Sequence, residues 1–185
     1  MSKVSISGNA SGTGVFTIQA PSSNTDRVLS LPDEAGTVLT TASNITAQAM
    51  NGPAFFAFQS TAQSISANTS TKIALNQETF DTNSCFDTGT YRFTPNVAGY
   101  YQINATITFN GSTALYSVLT ILKNGNLVLE TNNQKSNGNF NGLSAAVVVY
   151  LNGSTDYIEL FGYEQNASTT VIAGTQLSGA LVRAA

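Results

Sequence analysis

From Tyr101 to Phe109 every second residue is apolar or small (Tyr101, Ile103, Ala105, Ile107, Phe109), while Gln102, Asn104, Thr106 and Thr108 between them are polar. A period of two is the signature of a half-buried β-strand. Pro95 and Gly99 bracket a turn before it, and a short strand, Tyr91 to Thr94, precedes the turn. At Gly99 the reversal predicts a positive φ, and with it intolerance of a β-branched side chain. Further on, Asn110-Gly111 predicts a hairpin into a strand over Ala114 to Leu122, and Asn124-Gly125 a second hairpin into Leu127 to Thr131, because both residues of that pair accept positive φ. Ala54 to Gln59 and Lys72 to Leu75 read as strands, with Ser60 to Thr71 a polar loop between them. Leu143 to Leu151 is apolar on both faces, and Tyr157 to Tyr163 sets Tyr157, Phe161 and Tyr163 against Ile158 and Leu160. Such strands do not suit an open outer position, so their second face calls for a partner. Tyr157 and Phe161 are therefore the candidate interface residues. The fold class predicted is all-β, an antiparallel jelly-roll sandwich head with a small N-terminal β-hairpin extension.

The chain divides, on this reading, into residues 1–40, a neck over 41–52 and a head over 53–185. In the first part, Val15 to Pro21 and Val28 to Pro32 are short strand patterns, and Asp33 to Gly36 is a turn leading into Thr37-Val38-Leu39. A lone hairpin is marginal in water, so something else must cover these strands. Residues 41–52, TASNITAQAMNG, lack alternation; Ala42, Ile45 and Ala49 have helical spacing over too short a stretch for a helix without partners.

Leu75, Asp81, Phe86, Phe93, Gly99 and Tyr101 stand at the spacing of the signature of the complement q-subcomponent globular head, which shares its jelly roll with tumour necrosis factor. Gly52-Pro53-Ala54-Phe55 resembles that family's opening strand, Leu122 to Gly125 its central hairpin, and Leu177 to Leu181 its closing strand, where an aromatic usually stands at the position of Ala180. The resemblance covers roughly residues 52 to 184. It implies threefold symmetry, with aromatic and aliphatic side chains along the axis. Residues 16–20, FTIQA, and 29–40, LSLPDEAGTVLT, resemble a unit of bacteriophage tail-fibre and virion proteins; an ordinary β-hairpin extension is the plain alternative.

Composition narrows the function. Only 9% of residues are charged, the net charge is −3, and the seven Lys and Arg are scattered, so no basic patch exists for nucleic acid. No apolar run approaches a membrane span, and residues 1–10 lack the apolar core of a signal peptide, which predicts synthesis in the host cytoplasm. Histidine is absent and Cys85 is the single cysteine, which removes Ser-His-Asp chemistry, an activated thiol and most zinc sites. The acidic residues follow no calcium-loop pattern, and no glycine-rich phosphate loop occurs. The sequence thus implies no catalytic residues, no cofactor and no metal ligands. Loops on a rigid sandwich commonly carry binding, and the most loop-like stretch of the head is 132–142. Asn132, Lys135, Asn139 and Phe140 are its candidate contact residues, with a solvated connection as the alternative. The function expected is a non-enzymatic homotrimeric virion protein. It joins other virion proteins through residues 1–40 and serves as a tail-fibre or spike tip against a host glycan or protein. A trimeric capsid decoration, or cement, protein is the second reading, favoured by the shortness of the chain; a soluble host lectin or adhesin is a third.

Overall fold

The computed structural model describes residues 11–15, 17, 22–26, 28, 52–110, 115–134 and 140–185. The chain divides into two compact units, 1–42 and 43–185. Almost all of the reading of residues 1–52, including the phage-like strings and the neck, falls outside the described residues.

The second unit is a sandwich of two antiparallel sheets, with no helix among the described residues. One sheet of seven strands contains β1 (Ala54–Phe58), β2 (Gln63–Ile65), β4 (Gln77–Asp81), β7 (Ala98–Asn110), β10 (Phe140–Asn152), β12 (Thr169–Val171) and β13 (Gln176–Ala184). The other, of six, contains β3 (Thr71–Lys72), β5 (Phe86–Asp87), β6 (Arg92–Phe93), β8 (Tyr116–Lys123), β9 (Asn126–Gln134) and β11 (Ile158–Glu164). The alternating stretch lies in β7, which at 13 residues matches β10 in length and is the centre of its sheet. Tyr101, Ile103, Ala105, Ile107 and Phe109 of β7 are all buried, as the period of two demands. Strand β10 lies along one edge of β7 from Ala98 to Asn110, and β12 followed by β13 takes the other.

Aromatic rings join the two layers. Phe55 of β1 is stacked on Phe93 of β6 at 4.2 Å and on Phe86 of β5 at 5.2 Å between centroids, and Phe93 meets the edge of Tyr101 at 5.5 Å. The Tyr101 hydroxyl donates to the Val97 carbonyl at 2.7 Å, so its one polar atom is satisfied within the core. Asp81 accepts from the Phe86 amide at 2.7 Å, which pins β5 beneath the end of β4.

Several local expectations are corrected. Both edges of β7 are occupied and β8 belongs to the other sheet, so β7 and β8 do not pair as the expected hairpin requires; residues 111–114 lie outside the described residues. Tyr91 takes a left-handed φ of 57°, which shortens the strand predicted over Tyr91 to Thr94 to Arg92–Phe93. The polar stretch Ser60 to Thr71 is not all loop, because β2 pairs with β12. Asn124 and Gly125 do turn β8 into β9, with φ of 53° and 76°, as a two-residue hairpin requires.

At Gly99 the reason for intolerance changes. It lies within β7 and not at a positive-φ turn, but a Cβ there would stand 2.4 Å from the Arg183 carbonyl oxygen and 2.7 Å from Leu181 Cδ1. Backbone cannot yield as a flexible side chain can. Gly99→Ala should therefore lower stability by about 1–3 kcal/mol and Gly99→Val by more, as overpacking does. Urea unfolding that gives the wild-type midpoint for Gly99→Val would show that β13 moves aside freely.

Candidate functional site

Each sheet turns one face to the core and one outward, and the two outward faces differ in chemistry. Register fixes which residues they carry.

On the seven-stranded sheet, Phe80, Phe56, Ser178, Asn104 and Ala146 form one cross-strand row, and Ala54, Ala180, Gln102 and Val148 the next. Tyr100 pairs with Tyr150 beyond them. The apolar side chains gather at the two ends of these rows. Phe56 has Phe58 at 6.4 Å and Phe80 at 6.5 Å, while the Tyr100 and Tyr150 rings meet at 5.5 Å beside the exposed Val148. Four strand spacings separate β4 from β10, about 19 Å. Between the two patches runs a polar ladder of Gln102, Asn104 and Ser178. Because Ser178 and Ala180 are small, the sheet is hollowed there, leaving about 250 Å³ lined by Phe56, Phe80, Gln102 and Ala180 among others.

On the six-stranded sheet, Tyr163 pairs with Val118 and Val118 with Asn132, and Phe161 pairs with Thr120 and Thr120 with Glu130. Glu159 is buried on this sheet and holds two cations, Lys72 Nζ and, at 2.8 Å, Arg92 Nε. Burial alone raises a carboxyl pKa, but here the hydrogen bonds from Lys72 and Arg92 outweigh it and hold Glu159 below its ordinary value. The Arg92 guanidinium lies 4.0 Å over the Tyr157 ring, a cation–π contact that covers this ring. Nearby, Asp156 is held down by Lys123 at 2.8 Å and by Asn124 at 2.7 Å.

The structure places Tyr157 half-buried under Arg92 and Phe161 half-buried on the same sheet as Asn132, which is exposed. Phe140 is 63% exposed, yet it opens β10 opposite Asn110 and is not a loop tip. Strand β9 continues to Gln134, so the expected loop 132–142 is largely two strand ends; Lys135 and Asn139 lie outside the described residues. Asn141 is buried and donates to Ser117 Oγ at 2.7 Å, and Ser117 donates in turn to the buried Glu164. The outward aromatics Phe56, Phe58, Phe80, Tyr100 and Tyr150 were not singled out from the sequence. For Phe56 and Phe58 the signal lies in residues 54–59, where aromatic side chains fall on both parities.

Cys85 is buried, and burial, the largest influence, raises its thiol above the ordinary value, the opposite of an activated nucleophile. Among the described residues no cluster of His, Cys, Asp or Glu is arranged to hold a metal ion. No helix of the described residues is long and apolar enough to cross a membrane.

Two antiparallel sheets with this strand path and aromatic seam define the jelly-roll class shared by complement and tumour-necrosis-factor heads. The C1q domain matches residues 54–182, and the chain belongs to that family. Among solved structures, the globular domain of zebrafish complement 1qA is similar with a TM-score of 0.55 at 17% identity, covering 72% of this chain and 99% of that one. Eiger, a tumour necrosis factor of S. frugiperda, gives 0.57 at 10% identity, over 72% and 95% of the two chains. The PRD1 vertex protein P5 gives 0.56 at 17%, over 71% and 98%. Comparison with curated proteins gave no match.

The Glu159 cluster generates a pH prediction. Glu159 and Asp156 have folded pKa values below 4.5 and 3.8, so they stabilise the fold above those ordinary values. That stability is lost as pH falls through the depressed values. Acid titration of unfolding should show stability declining below about pH 4.5, and Glu159→Gln should flatten the decline while costing about 1–3 kcal/mol at pH 7. An unaltered acid limb in Glu159→Gln would show that the cations do not lower the Glu159 pKa.

Proposed function

We propose that this protein is a non-enzymatic bacteriophage virion component, a homotrimer whose jelly-roll head is displayed on the particle surface and whose residues 1–40 join it to other virion proteins. The observation that carries self-association is the outward face of the seven-stranded sheet. Phe80, at 47%, Tyr100, at 46%, and Val148, at 53% exposed, make a surface that soluble monomers seldom leave bare. Its two apolar patches are different in shape and lie on opposite sides of a polar ladder. Either a two-fold pair or a ring can set the Phe56–Phe80 patch of one copy against the Tyr100–Tyr150 patch of another, and the ring of three is favoured because C1q- and tumour-necrosis-factor-like domains form homotrimers. Three copies in such a ring would bury on the order of 2,000 Å² or more, with Gln102 and Asn104 near the axis. This interface is preferred to one at Tyr157 and Phe161, since Arg92 already covers Tyr157.

A virion setting is supported by the FTIQA and LSLPDEAGTVLT strings and by the likeness of the head to the PRD1 vertex protein, a phage protein. The tail-fibre or spike reading assigns the head to adsorption on a host surface glycan or protein. A capsid decoration role is the second reading, favoured by that neighbour's being a vertex protein.

Sedimentation equilibrium should give three times the 19.3 kDa chain mass at micromolar concentration. Tyr150→Asp and Phe56→Asp should each weaken association at least about a hundredfold, while Asn126→Asp in the exposed hairpin should not. A soluble wild-type monomer would remove the trimer. Immunogold labelling of particles would assign the protein to tail or capsid, and its absence from purified particles would remove the virion reading.

A further inference from the structure

The outward face of the six-stranded sheet holds a hollow between β8, β9 and β11. Its floor is Val118, buried although it points outward, and its lining is Tyr116, Tyr163, Thr120, Glu130 and Ser70, around a volume of about 220 Å³. Tyr116 and Tyr163 stand side by side, ring centroids 6.0 Å apart and planes inclined by 31°, so the rings form one side of a shallow trough. The Tyr163 hydroxyl donates to Asn68 Oδ1 at 3.3 Å. Asn68 is itself fixed, its side chain accepting from the Asn166 amide at 3.0 Å and its amide donating to the Glu164 carbonyl at 2.8 Å. The trough is thus preorganised, which lowers the entropic cost of filling it. Across from the rings, register sets the Glu130 carboxylate beside the Thr120 hydroxyl, with Asn132 one row on.

The geometry points to a binding site for a neutral sugar ring, stacked on Tyr116 and Tyr163 and hydrogen-bonded by Glu130 and Thr120. A pyranose has an apolar C–H face and an equatorial belt of hydroxyls, and the trough offers that pairing: aromatic surface on one side, a carboxylate and a hydroxyl on the other. Sugar hydroxyls donate to a carboxylate in charge-assisted bonds. No Lys or Arg lines the hollow, so Glu130 would repel an acidic sugar without compensation. An apolar peptide side chain would strand Glu130 and Thr120 without partners. Below the several hundred Å³ of a drug-sized pocket, the volume suits one ring of a chain and not a long segment. This site deepens the host-adsorption reading and rests on it for biological purpose, because the face opposite the proposed interface is the one left free in the trimer.

Saturation-transfer NMR on the full-length protein, with a panel of neutral hexose and N-acetylhexosamine di- and trisaccharides, tests it directly. At least one should bind with a dissociation constant on the order of 1 mM, as one ring's worth of contact allows. Transfer should be strongest to the protons of a single C–H face. Tyr163→Ala should abolish the signal, Tyr163→Phe should keep most of it, and Glu130→Ala, at an exposed position, should weaken binding at least tenfold with an unchanged far-ultraviolet spectrum. The proposal fails if no saccharide in the panel binds, or if binding is undiminished in both Tyr163→Ala and Glu130→Ala, including the case in which the protein adsorbs to a protein receptor instead. Because the assay uses purified protein, its failure is separate from failure of the virion reading, which immunogold labelling decides.

Discussion

The stack of Phe86, Phe55 and Phe93, with Tyr101 at its edge, is the contact that makes one body of two sheets. Phe55 comes from β1 and Tyr101 from β7 in one layer; Phe86 and Phe93 come from β5 and β6 in the other. Strands β5 and β6 are only two residues each, too short to persist by ladder hydrogen bonds, so they are held by the rings they carry. Truncating a buried phenylalanine costs about 3–5 kcal/mol, a large part of what a domain of this size has to spare.

That dependence explains what was legible in the sequence. Leu75, Phe86, Phe93 and Tyr101 are core, Gly99 lets β13 close against β7, and Asp81 fastens β5. Every residue of the signature therefore serves the fold, by packing or, at Asp81, by a hydrogen bond, and such a signature identifies the fold while saying nothing about function. Alternation placed β7 correctly because one of its faces is core along its whole length. It failed for β2 and β4, whose polar residues pair at the sheet's margins, where burial no longer writes a pattern. The Asn110-Gly111 reading failed for a different reason. Local turn chemistry cannot tell that both edges of the preceding strand are already taken.

The candidate site was less legible than the fold, since the residues that share an outward face are distant in the chain. Tyr163, Val118 and Asn132 form one row, and Phe161, Thr120 and Glu130 the next, but only strand pairing reveals it. Likewise, the apolar second face of Leu143 to Leu151 announced a partner without saying which sheet would meet it. Val148 and Tyr150 stand on the seven-stranded sheet, next to Gln102 and Tyr100.

The charged groups weigh on which face meets a partner copy. Glu159 is buried, but Lys72 and Arg92, its counter-ions, keep 28% and 38% of their side chains in solvent, and water shares in the neutralisation. An interface laid over this sheet would strip that water from both cations, a cost that the same Glu159 contacts, already made, could not offset further. The opposite face carries Phe56, Phe80, Tyr100, Val148 and Tyr150, with neutral amides and hydroxyls between; the charges beside them include Arg183, paired with Tyr100, and Lys123, whose Nζ lies 5.7 Å from the Tyr150 ring centroid. Association through the seven-stranded sheet thus gains apolar burial while leaving the Glu159 ion pairs in contact with water, and it leaves outward the sheet whose ion pairs and tyrosine trough require water or a polar ligand. Division of labour between two sheets of one sandwich follows from where the charges sit.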